Sequence, residues 1–488
     1  MHISKLAENI IIAAIILTIA LFYIFTIRDG HDWGDDFSGY ISHAKNIASG
    51  IDYNHTGYIY NSSYPCLGPK AYPPIFPFLL FPIIKYYGIN FVLMKIENII
   101  FFLLSLFILY LIFKKELSFK YLSALLIIIG FNPFFWDFKD NVLSDLPFLF
   151  FLYLSFLIIT RGYKNYKLHK FYIIYPILAG FIIYLSYGVR NIGILLIPSL
   201  FIYDLIKFRK ISLFSLICSL VFFIFVILQT VFLYTGFSYL DNMSVFRSKV
   251  MFQNLFLYTK ALSNTWNNGY SKIFKNVYFI VFSIFAAIGY GKRLKNKISI
   301  IEIFLALYLM HVIIWPAEQG YRFLIPVIPL YVFYAFTGIR DNLFINKLHA
   351  KQLVFGISTI IIFISYIGKY TTLDYRYIKE GIGKKETIEL FDYIKRNTRK
   401  EDIFIFQKPR ALALYTGRSA SACDYSQRNE DLWKYFQSIN ASYLIVGEPF
   451  ETDRSFLRYF VKKYSNNFEA VYSNPDFKVY KIKEYSMK

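Results

Sequence analysis

The chain has 488 residues, of which 56% are hydrophobic and only 17% charged, with a formal net charge of +21. Soluble globular chains carry about a quarter charged residues, so that class is excluded. The basic excess does not read as a nucleic-acid surface either. It falls in short clusters between apolar runs: Lys114-Lys115 with Lys120, Arg161 to Lys170, Lys207 to Lys210, Lys292 to Lys297 and Arg340 to Lys351. Such clusters hold loops on the cytoplasmic side of a membrane, and no nucleic-acid partner is expected.

A membrane-crossing helix needs about 20 mostly apolar residues. In chain order, apolar stretches centre on 10–27, 91–113, 120–135, 143–160, 171–187, 191–206, 213–235, 273–290, 299–315, 322–339 and 352–370. These read as about eleven spans. The first follows Lys5, and Tyr23 to Arg28 offers no small-residue cleavage site, so it reads as an uncleaved span. With Lys5 inside, strict alternation puts every basic cluster on the cytoplasmic side and the C-terminus outside. The expectation is a multi-pass protein of the plasma (inner) membrane. Residues 1–370 form its transmembrane module, with external loops at 28–90 and 236–272. In the second loop Phe246, Val250, Phe252, Leu255 and Phe256 alternate with Arg247, Lys249 and Lys260, predicting a helix that lies in the membrane surface.

Residues 371–488 change character and read as a small extracytoplasmic α/β domain. Lys384 to Thr398 places Ile388, Phe391 and Ile394 on one helical face. Asp402 to Phe406 and Tyr443 to Val446 read as short buried strands, and Phe468 to Val471 with Phe477 to Ile482 as a hairpin over Asn474-Pro475. The cysteines, Cys66, Cys218 and Cys423, show neither metal spacing nor a disulfide framework. Cys218 sits in an apolar run; Cys66 and Cys423 both fall outside, which leaves a bridge open.

The candidate chemistry begins just after the first span, at Trp33-Gly34-Asp35-Asp36-Phe37. Adjacent carboxylates repel, which raises the pKa of one; equally, either Asp can cap a helix running through Tyr40, Ile41, Ala44, Ile47 and Ala48. A polar stretch after Gly50 leads to Ala71-Tyr72-Pro73-Pro74-Ile75-Phe76-Pro77. Downstream stand Asn132-Pro133, Leu143-Ser144-Asp145-Leu146-Pro147, Tyr187-Gly188-Val189-Arg190-Asn191-Ile192-Gly193 and Gln319-Gly320-Tyr321-Arg322-Phe323-Leu324-Ile325-Pro326.

In this order, and on one predicted side of the membrane, these segments resemble the GT-C glycosyltransferases. The likeness is to the branch with the RgtA/B/C/D-like domain, related to protein O-mannosyltransferases and lipid A aminoarabinose transferases. The aminoarabinose branch has Lys directly before Pro-Pro and Arg-Tyr shortly after the acidic pair. Here Tyr72 and Ser38-Gly39 stand at those places, which favours the broader branch. The resemblance implies transfer of a sugar from a polyprenyl-phosphate donor to a hydroxyl acceptor on a glycolipid, surface glycan or protein, at the outer face, with inversion. Asp35 matches the family's catalytic base, with Asp36 assisting.

The residue types suit that chemistry on their own terms. A hydroxyl nucleophile needs a base, and a departing lipid phosphate needs fixed cations. Arg190 and Arg322 are the candidates for the phosphate, with Lys70 as a displaced positive charge. Tyr40, Tyr72, Asp145, His311 and Glu318 are further cavity candidates, Asp145 alternatively capping its own helix. His311, Glu318 and His55 lack diagnostic metal spacing, so neither metal nor cofactor is expected. The rival classes are a polyprenyl-lipid flippase or transporter and an O-antigen ligase or polymerase. Internal repeats, which transporters tend to show, are not apparent, and an Asp-Asp loop after the first span is not expected of a ligase.

Overall fold

A computed structural model describes residues 4–165, 173–233, 248–266, 271–341, 348–425 and 427–485. In chain order its helices begin with α1 (Lys5–Phe25), α2 (Asp35–Ser49), α3 (Ile75–Tyr87), α4 (Phe91–Phe113), α5 (Phe119–Gly130), α6 (Pro133–Phe138) and α7 (Asp145–Asn165). Then follow α8 (Ile174–Val189), α9 (Leu196–Phe208), α10 (Leu213–Leu233), α11 (Ser248–Asn264), α12 (Lys272–Asn296), α13 (Ile300–Ile314), α14 (Ile328–Arg340) and α15 (Leu348–Tyr370). The chain divides into two compact units, one of residues 1–27, 95–228 and 246–375, the other of 28–94, 229–245 and 376–488.

The first unit is a helical bundle, and the protein is a multi-pass membrane protein. Among the described residues seven helices are long and apolar enough to cross a membrane: Lys5–Phe25, Phe91–Phe113, Asp145–Lys164, Asn191–Phe208, Leu213–Leu233, Lys272–Asn296 and His349–Tyr370. Every predicted stretch falls on a helix, but several helices are shorter than the stretch suggested. Helix α5 has 12 residues and stops ahead of Asn132-Pro133. Helix α8 has 16, ends two residues past its predicted stretch, and stops where Arg190 turns extended. Helix α13 has 15 and ends at Trp315-Pro316. Helix α14 has 13 and starts only after the 3₁₀ turn Gly320–Leu324 and Pro326. Proline removes helical hydrogen bonds, so hydropathy overestimates the length of α5, α13 and α14. Phe246 and Arg247, at the start of the predicted surface helix, lie outside the described residues; Val250, Phe252, Leu255, Phe256 and Lys260 lie on α11.

Two polar clusters hold the bundle. At one end Lys139 and Asp140, both fully buried, pair at 2.6 Å. The Lys139 ammonium also donates to the Thr26 carbonyl at 2.6 Å, and Trp136 Nε1 donates to the Thr26 hydroxyl at 2.7 Å. At the other, Arg293 bridges Glu302 and Glu116 at 3.0 Å each, and Lys297 pairs with Glu116 at 2.6 Å. Glu302 also closes a capping box with Ser299 at the start of α13. Helices α12 and α14 touch backbone to backbone at Gly289 and Gly338, where an added Cβ would meet a carbonyl oxygen at 1.9 Å. Small residues permit that approach inside membranes.

The second unit joins residues 28–94 to the C-terminal segment. Its sheet has the order β2-β1-β3-β5-β4, from β1 (Ile403–Ile405), β2 (Ser419–Ser421), β3 (Ala441–Gly447), β4 (Phe468–Ser473) and β5 (Phe477–Ile482). Strands β2, β1 and β3 run parallel; β5 is antiparallel to β3 and forms a hairpin with β4. Helices α16 (Lys385–Asn397), α17 (Pro409–Thr416), α18 (Asn429–Ser438) and α19 (Arg458–Lys463) complete it. The 57–61 stretch runs along β2: Ala420 N donates to Gly57 O at 2.9 Å, and Ile59 N to Ala420 O at 2.8 Å. Trp33 inserts among Phe391, Phe406, Phe450 and Phe477. All three cysteines are free thiols.

Helix α2 is buried along most of its length, and its polar face is satisfied by the loop that follows. Asn46 donates to the carbonyls of Asp52, Tyr53 and His55 at 3.1, 3.2 and 2.9 Å. His43 Nδ1 lies 2.8 Å from the Tyr53 carbonyl, and the Tyr72 amide donates to Nε2 at 3.2 Å. An amide only donates and a carbonyl only accepts, so the ring is neutral with its proton on Nδ1. Burial pushes the His43 pKa down to about 4. A lowered histidine contributes stability that is complete above the unfolded value of about 6.5 and is lost as pH falls toward 4, here about 3 kcal/mol. Protection of the Tyr72 amide in hydrogen exchange, corrected for the intrinsic rate, is therefore expected to drop across that window. A flat profile would show that the imidazole does not hold this loop.

Candidate functional site

The predicted residues gather into two clusters, one in each unit. In the second unit Asp35 opens α2, whose Gly34 N-cap offers no side-chain cap. Its carboxylate turns instead to the start of α17, where Lys408-Pro409 likewise supplies no capping side chain. Oδ1 accepts from the backbone amides of Arg410 and Ala411, both at 3.1 Å. Oδ2 accepts from Arg410 Nη1 at 2.9 Å. Asp35 thus caps a distant helix and pairs with its second residue, both favourable for a carboxylate at a helix N-terminus. Burial pushes the Asp35 carboxyl up, while Arg410, Lys408 and the Ala411 amide pull against that.

Asp36 takes a different environment. It is half-buried and accepts a 2.6 Å hydrogen bond from the Tyr72 hydroxyl. The Tyr72 ring packs 4.4 Å from that of Tyr40, which also meets Phe76 at 4.9 Å. Arg410 lies over Tyr58 at 4.1 Å and over Tyr72 at 5.3 Å, and its Nη2 donates to the Pro69 carbonyl at 3.0 Å. Two glycines make room: a Cβ on Gly39 would fall 2.5 Å from the Tyr72 ring, and one on Gly68 2.9 Å from Arg410 Nη2. Gly68 also has φ +134°, which favours glycine. Lys70 is exposed on the same loop.

In the first unit Asp145, Arg190 and Arg322 converge. Asp145 stands in the first turn of α7 with its side chain 1% exposed. Arg190, in the extended link after α8, donates to Oδ1. Arg322, in the 3₁₀ turn before α14, donates to Oδ2 through Nε at 3.2 Å and Nη2 at 3.1 Å, and to Gln319 Oε1 through Nη1 at 3.3 Å. Arg190 also lies over the Phe323 ring at 5.4 Å. The guanidinium-bearing side chains are 17% and 19% exposed, so one buried carboxylate presents two partly accessible cations. The three formal charges sum to one positive. His311 rests its ring on Trp315 at 5.1 Å, and Glu318 is exposed in the turn that follows. Among the described residues no group of three or more His, Cys, Asp or Glu side chains converges as metal ligands.

Sequence reasoning missed Arg410 and His43. The one local signal for Arg410 is a helix that begins Lys408-Pro409 without a capping side chain, which asks for an acceptor from elsewhere. His43 lies on α2 one turn beyond Gly39, at a helical spacing that reads as ordinary amphipathicity.

No family model matches the sequence, and no curated protein matches it. Solved structures do. An oligosaccharyltransferase from Archaeoglobus fulgidus, crystallised with Zn and sulfate, superposes with a TM-score of 0.63 at 13% identity, covering 96% of this chain and 72% of that one. The archaeal oligosaccharyltransferase AglB from the same organism, in complex with an inhibitory peptide and a dolichol-phosphate, gives 0.60 at 12%, covering 98% and 75%. ArnT from Cupriavidus metallidurans, bound to undecaprenyl phosphate, gives 0.56 at 10%, covering 98% of each chain. At these identities the likeness concerns the fold, and along nearly its whole length this chain has the GT-C fold.

Proposed function

We propose that the protein is a glycosyltransferase that moves a hexose or pentose from a polyprenyl-phosphate donor to a hydroxyl acceptor, a glycolipid, surface glycan or protein, with inversion. The observation that carries this reading is the Asp145–Arg190–Arg322 cluster on a GT-C scaffold. Two planar guanidiniums with one net positive charge suit a lipid phosphate, whose oxygens they can grip in pairs. Their charge is strongest where the leaving phosphate gains negative charge. The acidic pair supplies the other half. Asp35, which the sequence reading made the base, is buried and held by the Arg410 guanidinium and two backbone amides; Asp36 is half-buried, so we assign Asp36 the proton of the acceptor hydroxyl. Tyr72 orients it, and Lys70, Tyr40, His311 and Glu318 are further candidates for donor or acceptor contacts. The reading includes eleven spans, the plasma membrane as location and the 371–488 segment outside the cytoplasm.

The test is radiolabelled sugar transfer by the purified protein in proteoliposomes loaded with a polyprenyl-phosphate sugar and a mixture of hydroxyl acceptors. Label leaving the lipid for an acceptor supports the reading. Label crossing the bilayer while still on the lipid would identify a flippase and end it.

A further inference from the structure

We propose that Arg410 is a positioning residue of the Asp35–Asp36 site, so that helix α17, near the far end of the chain, completes a site whose carboxylates lie just after the first helix. This inference rests on the transfer reading above. The geometry is specific. Arg410 is buried, 3% exposed, and reaches the site in two ways. Its Nη1 and backbone amide hold both oxygens of Asp35, which fixes the first turn of α2. Its guanidinium lies over the Tyr72 ring at 5.3 Å, and the Tyr72 hydroxyl donates to Asp36. Asp36 is therefore held from its own helix through Asp35 and from its hydrogen-bond partner through Tyr72, with Arg410 common to both.

Crowding supports a tuned arrangement over a casual ion pair. On Gly39 a Cβ would lie 2.5 Å from the Tyr72 ring and 3.1 Å from Arg410 Cδ; on Gly68 it would lie 2.9 Å from Arg410 Nη2 and 3.2 Å from the Tyr72 hydroxyl. The same two side chains bound both glycines, so neither can shift without the other. Lysine cannot replace this arginine: an ammonium keeps the charge but loses the planar fork that bonds Asp35 and Pro69 while stacking on two rings.

The experiment compares Arg410→Lys and Arg410→Gln with the wild type, expressing transfer per folded molecule. Arg410→Lys is expected to lower kcat about 10- to 100-fold, the cost of a roughly 1 Å misplacement, with the donor KM unchanged. Arg410→Gln is expected to move the acid limb of the pH–rate profile up by about one unit, because a cation favouring the ionised carboxylates is gone. If Arg410→Gln does not fold, Arg410→Lys decides alone. Wild-type kcat per folded molecule in Arg410→Lys overturns the proposal and leaves the transfer reading intact. A wild-type protein that transfers nothing from any polyprenyl-phosphate donor ends both.

Discussion

Replacing Asp36 by Asn is expected to leave a folded protein whose transfer rate falls by about 10²–10⁴-fold, the usual contribution of a positioned general base. Asparagine keeps an oxygen that can accept from the Tyr72 hydroxyl, which now bonds Asp36 at 2.6 Å. It cannot take a proton from an acceptor hydroxyl. Asp36 is half-buried, and in this variant the buried Arg410 keeps its pairing with Asp35. Asp35→Asn differs in kind. It would leave the buried Arg410 facing a neutral group, and breaking one side of a buried pair costs roughly 3–5 kcal/mol. The two neighbouring substitutions should separate cleanly, Asp36→Asn in kcat at constant melting temperature and Asp35→Asn in melting temperature first. Full transfer activity in Asp36→Asn would falsify the assignment of the base and return the role to Asp35.

The difference between these two carboxylates explains what was legible in the sequence. The long helices of the bundle announce themselves, because about twenty apolar residues have few alternatives. Helix ends were harder: the stretch at 322–339 opens with the Gly320–Leu324 turn, and its helix begins only at Ile328. In the C-terminal segment the alternating strands and the helix at 385–397 are plain from periodicity. Helix α17 and strand β2 are not, since eight residues are few for a helical pattern and Ser-Ala-Ser lacks the apolar run that marks β1. Site residues were legible as types and order, a carboxylate pair followed by two arginines. Their partners were not, because Asp35 and Arg410 are 375 positions apart and no local rule links them. Asp145 shows the same limit. Its place at a helix start reads as a cap, and only the fold brings Arg190 and Arg322 to it.

That last cluster yields the second large effect. Arg190→Ala and Arg322→Ala are each expected to reduce kcat/KM by about 10²–10³-fold, the scale seen when one group stabilising a developing anion is removed. Either substitution leaves Asp145 with the other arginine, a neutral pair in place of a positive triad, so the fold should persist. The loss then belongs to the donor. Lysine at either position should recover only part, since an ammonium cannot bond two oxygens in the guanidinium's plane. Asp145→Ala should behave differently, because it leaves two partly buried guanidiniums side by side without a counter-charge. Its expected signature is a lowered melting temperature, relieved by adding a polyprenyl phosphate that replaces the missing negative charge. Binding of polyprenyl phosphate to each variant, measured beside transfer, decides the matter. Affinity unchanged by both alanine substitutions would mean that Asp145 gathers the arginines to hold α7, α8 and the Gly320–Leu324 turn together. Affinity lost with either one would mean that the structural pair and the phosphate compete for the same two cations.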